Sequence, residues 1–191
     1  MSRLDSFIRR MQAQRACLDS ATSLIRALPG NVLEFGLGNG RTYDHLRERL
    51  PTRDIFVFDR QLAAHPACIP PADRLFLGEV LETLPQAIVR LGANTALANL
   101  DIGTGDEQAT EELVRQIIPL LLRLLKPGAI IVSGRSIKHI SLTALSLPYA
   151  VKPGRHFMYS RTSHENIAAL VDLKPVNDNR RHKHHRMLAS E

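Results

Sequence analysis

The chain has 191 residues, 44% of them hydrophobic and 23% charged, so it is the size of one ordinary domain and can bury a core of its own. The formal net charge of +6 is unevenly placed: Arg180, Arg181, Lys183 and Arg186 crowd into RRHKHHR without an acid, which leaves the body near neutrality. Cys17 and Cys68, far apart and without a CxxC, exclude a disulfide framework and a zinc site, and no apolar run approaches the roughly 18 to 20 residues of a membrane span.

Leu4, Phe7, Ile8, Met11, Ala16, Leu18, Leu24, Ile25 and Leu28 recur mostly at helical spacing opposite Arg3, Arg9, Arg10 and Arg26. They predict an amphipathic helix over residues 3–28, broken near Ser20 and stopped by Pro29 and Gly30. NVLEFG follows as a short buried strand, then a helix from Arg41 to Leu50 that Pro51 ends. DIFVFD is a second strand, RLFLGE a third and TALANLDI a fourth, with a helix in VLETLPQAIVRLG that Pro85 interrupts. DEQATEELVRQIIPLLLRLLKPG carries acids in its first turn and Pro-Gly at its end, as a helix oriented by its dipole should. AIIVSG is a fifth strand, SIKHISLTAL reads as a helix after it, and PYAV with RHFMYSR reads as a hairpin around KPG, unless Pro153 marks a loop instead.

Strands that are apolar on both faces and alternate with helices imply a mostly parallel sheet covered on both sides. The expected class is therefore α/β and doubly wound, with an N-terminal helix and an antiparallel C-terminal hairpin. One folded unit is expected over residues 1–176, and residues 177–191 as a solvated basic tail, because terminal segments without apolar residues rarely order themselves. His182, His184 and His185 lack a Cys or carboxylate at metal-ligand spacing, so no metal is expected. Arg and Asp stand in the N-terminal stretch where a signal peptide needs an apolar block, which makes the cytoplasm the expected location.

The stretch VLEFGLGNGRTYDHL sets three glycines at alternate positions between the first strand and its helix. Such a turn lets a ligand approach the main chain without meeting a Cβ and offers free amides. A dinucleotide fingerprint needs G-x-G-x-x-G or a final Ala, but counting from Gly36 the last position is Arg41 and from Gly38 it is Tyr43. What stands here is E-x-G-x-G-x-G from Glu34 to Gly40, which resembles the first motif of class I S-adenosylmethionine-dependent methyltransferases. Asp59 ends the second strand, Gly78 and Glu79 end the third, Asp101 closes the fourth in ANLDIG, and LLKPGAIIVSG resembles the family's turn into its fifth strand. The matches run in order from Val32 to Gly134, and the whole chain resembles a small single-domain bacterial subgroup of that family.

The resemblance implies a Rossmann-like methyltransferase sheet and S-adenosyl-L-methionine as cofactor. In it Gly36, Leu37, Gly38, Asn39 and Gly40 line the methionine end, and Glu34 anchors the loop or reaches the ammonium through water. Arg41 and Thr42 meet the cofactor carboxylate, unless Thr42 simply caps the helix. Asp59, with Arg60 beside it, accepts hydrogen bonds from the ribose hydroxyls, and Gly78, Glu79 and Val80 meet the adenine. Glu79 stands where Asp is commoner. Asp101 faces the reacting methyl and is a candidate base with His139; His156 and Tyr159 are further candidate contacts. Gln14 and Arg15 on the first helix are candidates to cover the site.

NLDI is not the N-P-P-Y step of amino-group methyltransferases acting on adenine or glutamine, and no Pro-Cys nucleophile for cytosine C5 follows the fourth strand. No RNA-binding module is attached, so the expected partner is a small-molecule methyl acceptor, with no membrane and with the oligomeric state open, a homodimer included. The alternatives are an RNA methyltransferase that uses the basic tail, and a binding protein that holds the cofactor without turnover.

Overall fold

The chain enters its first helix through a reciprocal cap: the Asp5 amide donates to Ser2 Oγ at 3.0 Å, and the Ser2 amide donates to Asp5 Oδ2 at 3.2 Å. A computed structural model describes residues 2–162, so the part of the expected unit over 163–176 and the basic tail 177–191 lie outside the described residues. Helix α1 (Arg3–Leu24) is followed by strand β1 (Asn31–Phe35), helix α2 (Arg41–Arg49) and strand β2 (Ile55–Asp59). Two short 3₁₀ turns lead to β3 (Leu75–Leu77), α3 (Val80–Leu91), β4 (Thr95–Leu100), α4 (Glu107–Leu124) and β5 (Leu125–Ser133), and β6 (Leu142–Ala144) and β7 (Phe157–Arg161) close the described chain.

The seven strands form one sheet in the order β3-β2-β1-β4-β5-β7-β6. The β1, β2, β3, β4 and β5 pairings are parallel, while β7 runs antiparallel to both β5 and β6. This is the doubly wound α/β sheet with an antiparallel end. Residues alternate between two cores across it. Leu33, Phe35, Leu100, Ile131 and Tyr159 pack with α3 and α4 on one face, and Val32, Leu97, Val132 and Met158 pack with α1 and α2 on the other. Apolar strands therefore follow from burial on both faces.

Five expectations need correction. Helix α1 ends at Leu24 and passes Ser20 without a break; Thr22 Oγ1 and Ser23 Oγ donate to the Asp19 carbonyl, so these hydroxyls are satisfied within the helix. The turn after it is held by Arg53, which donates to the carbonyls of Ile25, Leu28 and Gly30. Helix α3 runs through Pro85. Pro85 is exposed, so its ring stands on the outer side of the helix rather than in the core.

SIKHISLTAL is not a helix. Its start is pinned when the Ile137 amide donates to Tyr159 Oη at 2.8 Å, and its end becomes β6, paired with β7 through Leu142↔Arg161. The hairpin exists, but its first strand is Leu142–Ala144, and PYAV is a loop. Strand β5 also begins earlier than expected, taking in the KPG turn.

Candidate cofactor site

The glycine turn leaves β1 at the carboxyl edge of the sheet, beside the reversal in strand order where β1 lies between β2 and β4. Gly36 has φ +86, and a Cβ there would lie 2.4 Å from the Asp101 carbonyl oxygen, so the turn passes against the end of β4 with no room for a side chain. Gly38, at φ +49, has nothing within 4 Å of a Cβ position. Its bare face is open. Gly40 serves differently: a Cβ there would strike Cys68 at 2.3 Å, and it stands behind the cavity as the residue that starts α2.

Asp59, at the tip of β2, accepts from the Gly38 amide at 3.0 Å through Oδ2 and from the Gln61 amide at 3.2 Å through Oδ1. The carboxylate thus fixes the turn it faces. Below the turn, Glu34 is wholly buried. Thr42 Oγ1 donates to its Oε1, and Asn99 Nδ2, from the residue paired with Glu34 on β4, donates to its Oε2 at 2.9 Å. Burial pushes the Glu34 carboxyl up to about 8; the bonds from Thr42 and Asn99 pull it down, and the charge of Asp101 adds to the rise. Glu34 therefore ties β1, β4 and the first turn of α2 together beneath the loop.

These elements surround one cavity of about 360 Å³. Gly36, Leu37, Gly38, Asn39, Arg41 and Thr42 form one wall, and Asp59, Arg60, Gly78, Glu79 and Val80 form the opposite one. Phe35 and Phe58 give it an apolar floor, their rings stacked 4.5 Å apart in the register that pairs β1 with β2. Asp101, Ile102, Gly103 and Thr104 close the far end, and Arg10, Met11 and Gln14 of α1 lie over it. Gln14, 3% exposed, donates through Nε2 to Asp101 Oδ2 at 2.8 Å.

Of the expected site residues, Glu34 and Gly40 stand behind the cavity and the other cofactor candidates line it. His139 is elsewhere, in the β5–β6 connection, where its Nδ1 accepts from the Ser141 amide at 3.1 Å. Tyr159 is held in the α3–α4 core by its bond to Ile137 and does not line the cavity, and Arg15 borders a surface hollow with Asp19 and His45. Arg10 and Met11 were not expected at the site; they precede Gln14 by four and three residues, the spacing that puts them on its helix face. His156 is buried to 3% exposure, with Nδ1 lacking any hydrogen-bond partner.

A bare turn, amides at a helix start, a carboxylate at the next strand's tip and an apolar floor fit an adenosyl amino acid. The order of strands and the place of the cavity define a Rossmann-like methyltransferase. Residues 1–161 match the family model described as S-adenosyl-L-methionine methyltransferase, and the chain belongs to that family. Its cofactor is S-adenosyl-L-methionine. The crystal structure of an S-adenosyl-L-methionine methyl transferase from Silicibacter pomeroyi DSS-3 is 43% identical, with a TM-score of 0.80 over 84% of this chain and 99% of that one. A candidate caffeoyl-CoA O-methyltransferase of Staphylococcus aureus shares the fold at 15% identity and TM-score 0.50, over 76% of this chain and 82% of that one. So does a candidate methyltransferase of Escherichia coli, at 12% identity and TM-score 0.52, over 76% and 85% of the two chains. A search of curated proteins gave no match.

Proposed function

We propose that the protein moves the methyl group of S-adenosyl-L-methionine to a small-molecule acceptor by in-line displacement at the methyl carbon. The observation that carries this reading is the covered cavity: α1 lies over Asp101 and joins it through Gln14, which narrows the approach to the end of β4. A bound sulfonium makes the methyl carbon electrophilic without help, so the chain's task is to hold, align and exclude water. In this reading Arg41, Thr42 and the turn amides receive the amino-acid end, and Asp59 receives the ribose hydroxyls. Gly78, Glu79 and Val80 border the base. Glu34 keeps the turn in register from beneath, and Asp101, oriented by Gln14, faces the reacting group.

Calorimetry with S-adenosylhomocysteine, followed by assays of its release from S-adenosylmethionine across acceptor panels, tests the reading. Binding with turnover on small acceptors is expected. Salt-sensitive RNA binding that weakens when residues 177–191 are removed would favour an RNA acceptor instead. Tight binding without turnover on any acceptor would favour a protein that only holds the cofactor. Among the described residues no helix is long and apolar enough to cross a membrane, so nothing in them directs the acceptor search toward a bilayer.

A further inference from the structure

The far end of the cavity adjoins a row of residues that no local motif announces. Leu100, Ser133 and Phe157 are paired across β4, β5 and β7. The next residues outward, Asp101, Gly134 and His156, therefore stand side by side at the carboxyl edge, and alternation places them on the α1 face. The middle position has no side chain: a Cβ on Gly134 would meet nothing closer than Asp101 Oδ1, at 4.0 Å. Two strand spacings, about 10 Å, separate the main chains of Asp101 and His156. Gln14 already occupies the other carboxylate oxygen of Asp101.

A buried imidazole nitrogen without a partner is costly unless a bound group completes it. The charged and titratable groups that act on the ring are Asp101 from β4, Arg10 from α1 and the backbone beside it at Arg155. Burial holds the His156 imidazole below its ordinary range; Asp101 opposes this, Arg10 adds to it, and the Arg155 backbone opposes it.

We propose that His156 is the base that removes the proton from an acceptor hydroxyl held over Gly134, between the imidazole and Asp101, so that the reaction is O-methylation. The proposal rests on the small-molecule reading above and names its acceptor class. The acceptor oxygen forms a bond to the methyl carbon as the carbon–sulfur bond breaks and leaves its electron pair on sulfur. The hydroxyl proton passes to the imidazole, which then releases it to solvent.

Wild-type protein is assayed for S-adenosylhomocysteine release with phenols, catechols, hydroxy acids and sugars, beside matched amines and thiols. Hydroxyl compounds are the expected acceptors. His156→Gln should lower kcat by about 100-fold or more while the Kd for S-adenosylhomocysteine stays within about twofold, and free imidazole should restore part of the rate to His156→Ala. An NMR titration of the carbon-labelled histidines, without cofactor, should place the His156 inflection below that of an exposed histidine and at the pH of the acidic limb of kcat/KM for S-adenosylmethionine. If neither variant folds, the coincidence of those two wild-type inflections decides. Turnover on amines or thiols alone, no turnover in the hydroxyl panel, full kcat in His156→Gln, or ordinary titration of His156 overturns the proposal. Failure of the wild type to bind S-adenosylhomocysteine is a separate result that overturns the cofactor site itself.

Discussion

The two halves of the sheet's carboxyl edge are built in different ways. At β1 and β2 the site is made of backbone: a bare turn, its amides, and one carboxylate that bonds the Gly38 and Gln61 amides directly. At β4, β5 and β7 it is made of side chains from distant parts of the chain, and the Gln14–Asp101 bond joins residues 87 positions apart. The first half needs fixed residue types at fixed local spacing. The second needs only that the fold bring suitable groups together, so no fixed local spacing is required of it.

The largest expected effect breaks the backbone half. Gly36→Ala places a methyl group against the Asp101 carbonyl at positive φ, combining left-handed strain with a clash that neither backbone can relieve cheaply. A loss of about 3 kcal/mol or more in stability is expected by chemical denaturation, together with loss of S-adenosylhomocysteine binding. Gly38→Ala sharpens the contrast, since no atom opposes its methyl group. It should lower stability by only about 1 to 2 kcal/mol, from backbone strain, while weakening the cofactor proportionally more. Equal losses of stability in the two variants would contradict the assigned packing.

Glu34 supports that half through a proton. The folded chain holds its carboxyl protonated up to about 8, against an ordinary value of 4.5, so the folded state binds a proton that the unfolded chain releases. The stability this gives is full below pH 4.5 and is lost as pH rises through about 8. The slope approaches about 1.4 kcal/mol per pH unit at most. Denaturant midpoints at pH 5, 6.5 and 8 should fall in that order, and the part of the decline due to Glu34 should vanish in Glu34→Gln. A variant that declines as steeply as the wild type would remove Glu34 as the source.

Asp59→Ala probes the junction between turn and sugar. Loss of the charged bonds should weaken S-adenosylhomocysteine by about 1 to 3 kcal/mol in calorimetry, with a smaller loss for Asp59→Asn, which keeps an acceptor oxygen. Unchanged affinity in Asp59→Ala would take the carboxylate out of the site.

The same division explains what the sequence made legible. Val32, Leu33, Phe56, Val57, Leu97 and Ile131 are buried because the sheet is covered on both faces, so their strands stand out as apolar runs. The glycines and Asp59 keep local spacing, and the cavity forms around them. The third strand and its helix were also readable, apart from Pro85, whose exposed place in α3 no local pattern reveals. The segment after β5 misleads because Ile137, Ile140 and Ala144 mimic helical spacing. Tyr159, 22 positions from Ile137, takes its amide, β7 claims Leu142 to Ala144 as a strand, and Ile140 ends up 59% exposed. Pairing with a strand still to come leaves no mark on local periodicity.

His139 gives the smallest effect, and its contrast with His156 is the finest. Neither has a diagnostic neighbour in sequence, and only the fold ranks them. His139 accepts one bond from the Ser141 amide in a partly exposed turn, away from the cavity. His139→Ala should therefore lower stability by about 1 kcal/mol or less and leave S-adenosylhomocysteine affinity unaltered. His156, shut into the sheet edge beside Gly134, should by contrast affect turnover far more than cofactor binding. If instead His139→Ala abolished turnover and His156→Gln spared it, the acceptor would have to approach from the β5–β6 connection, and the division of the edge into a backbone-built cofactor half and a side-chain-built acceptor half would fail at β7.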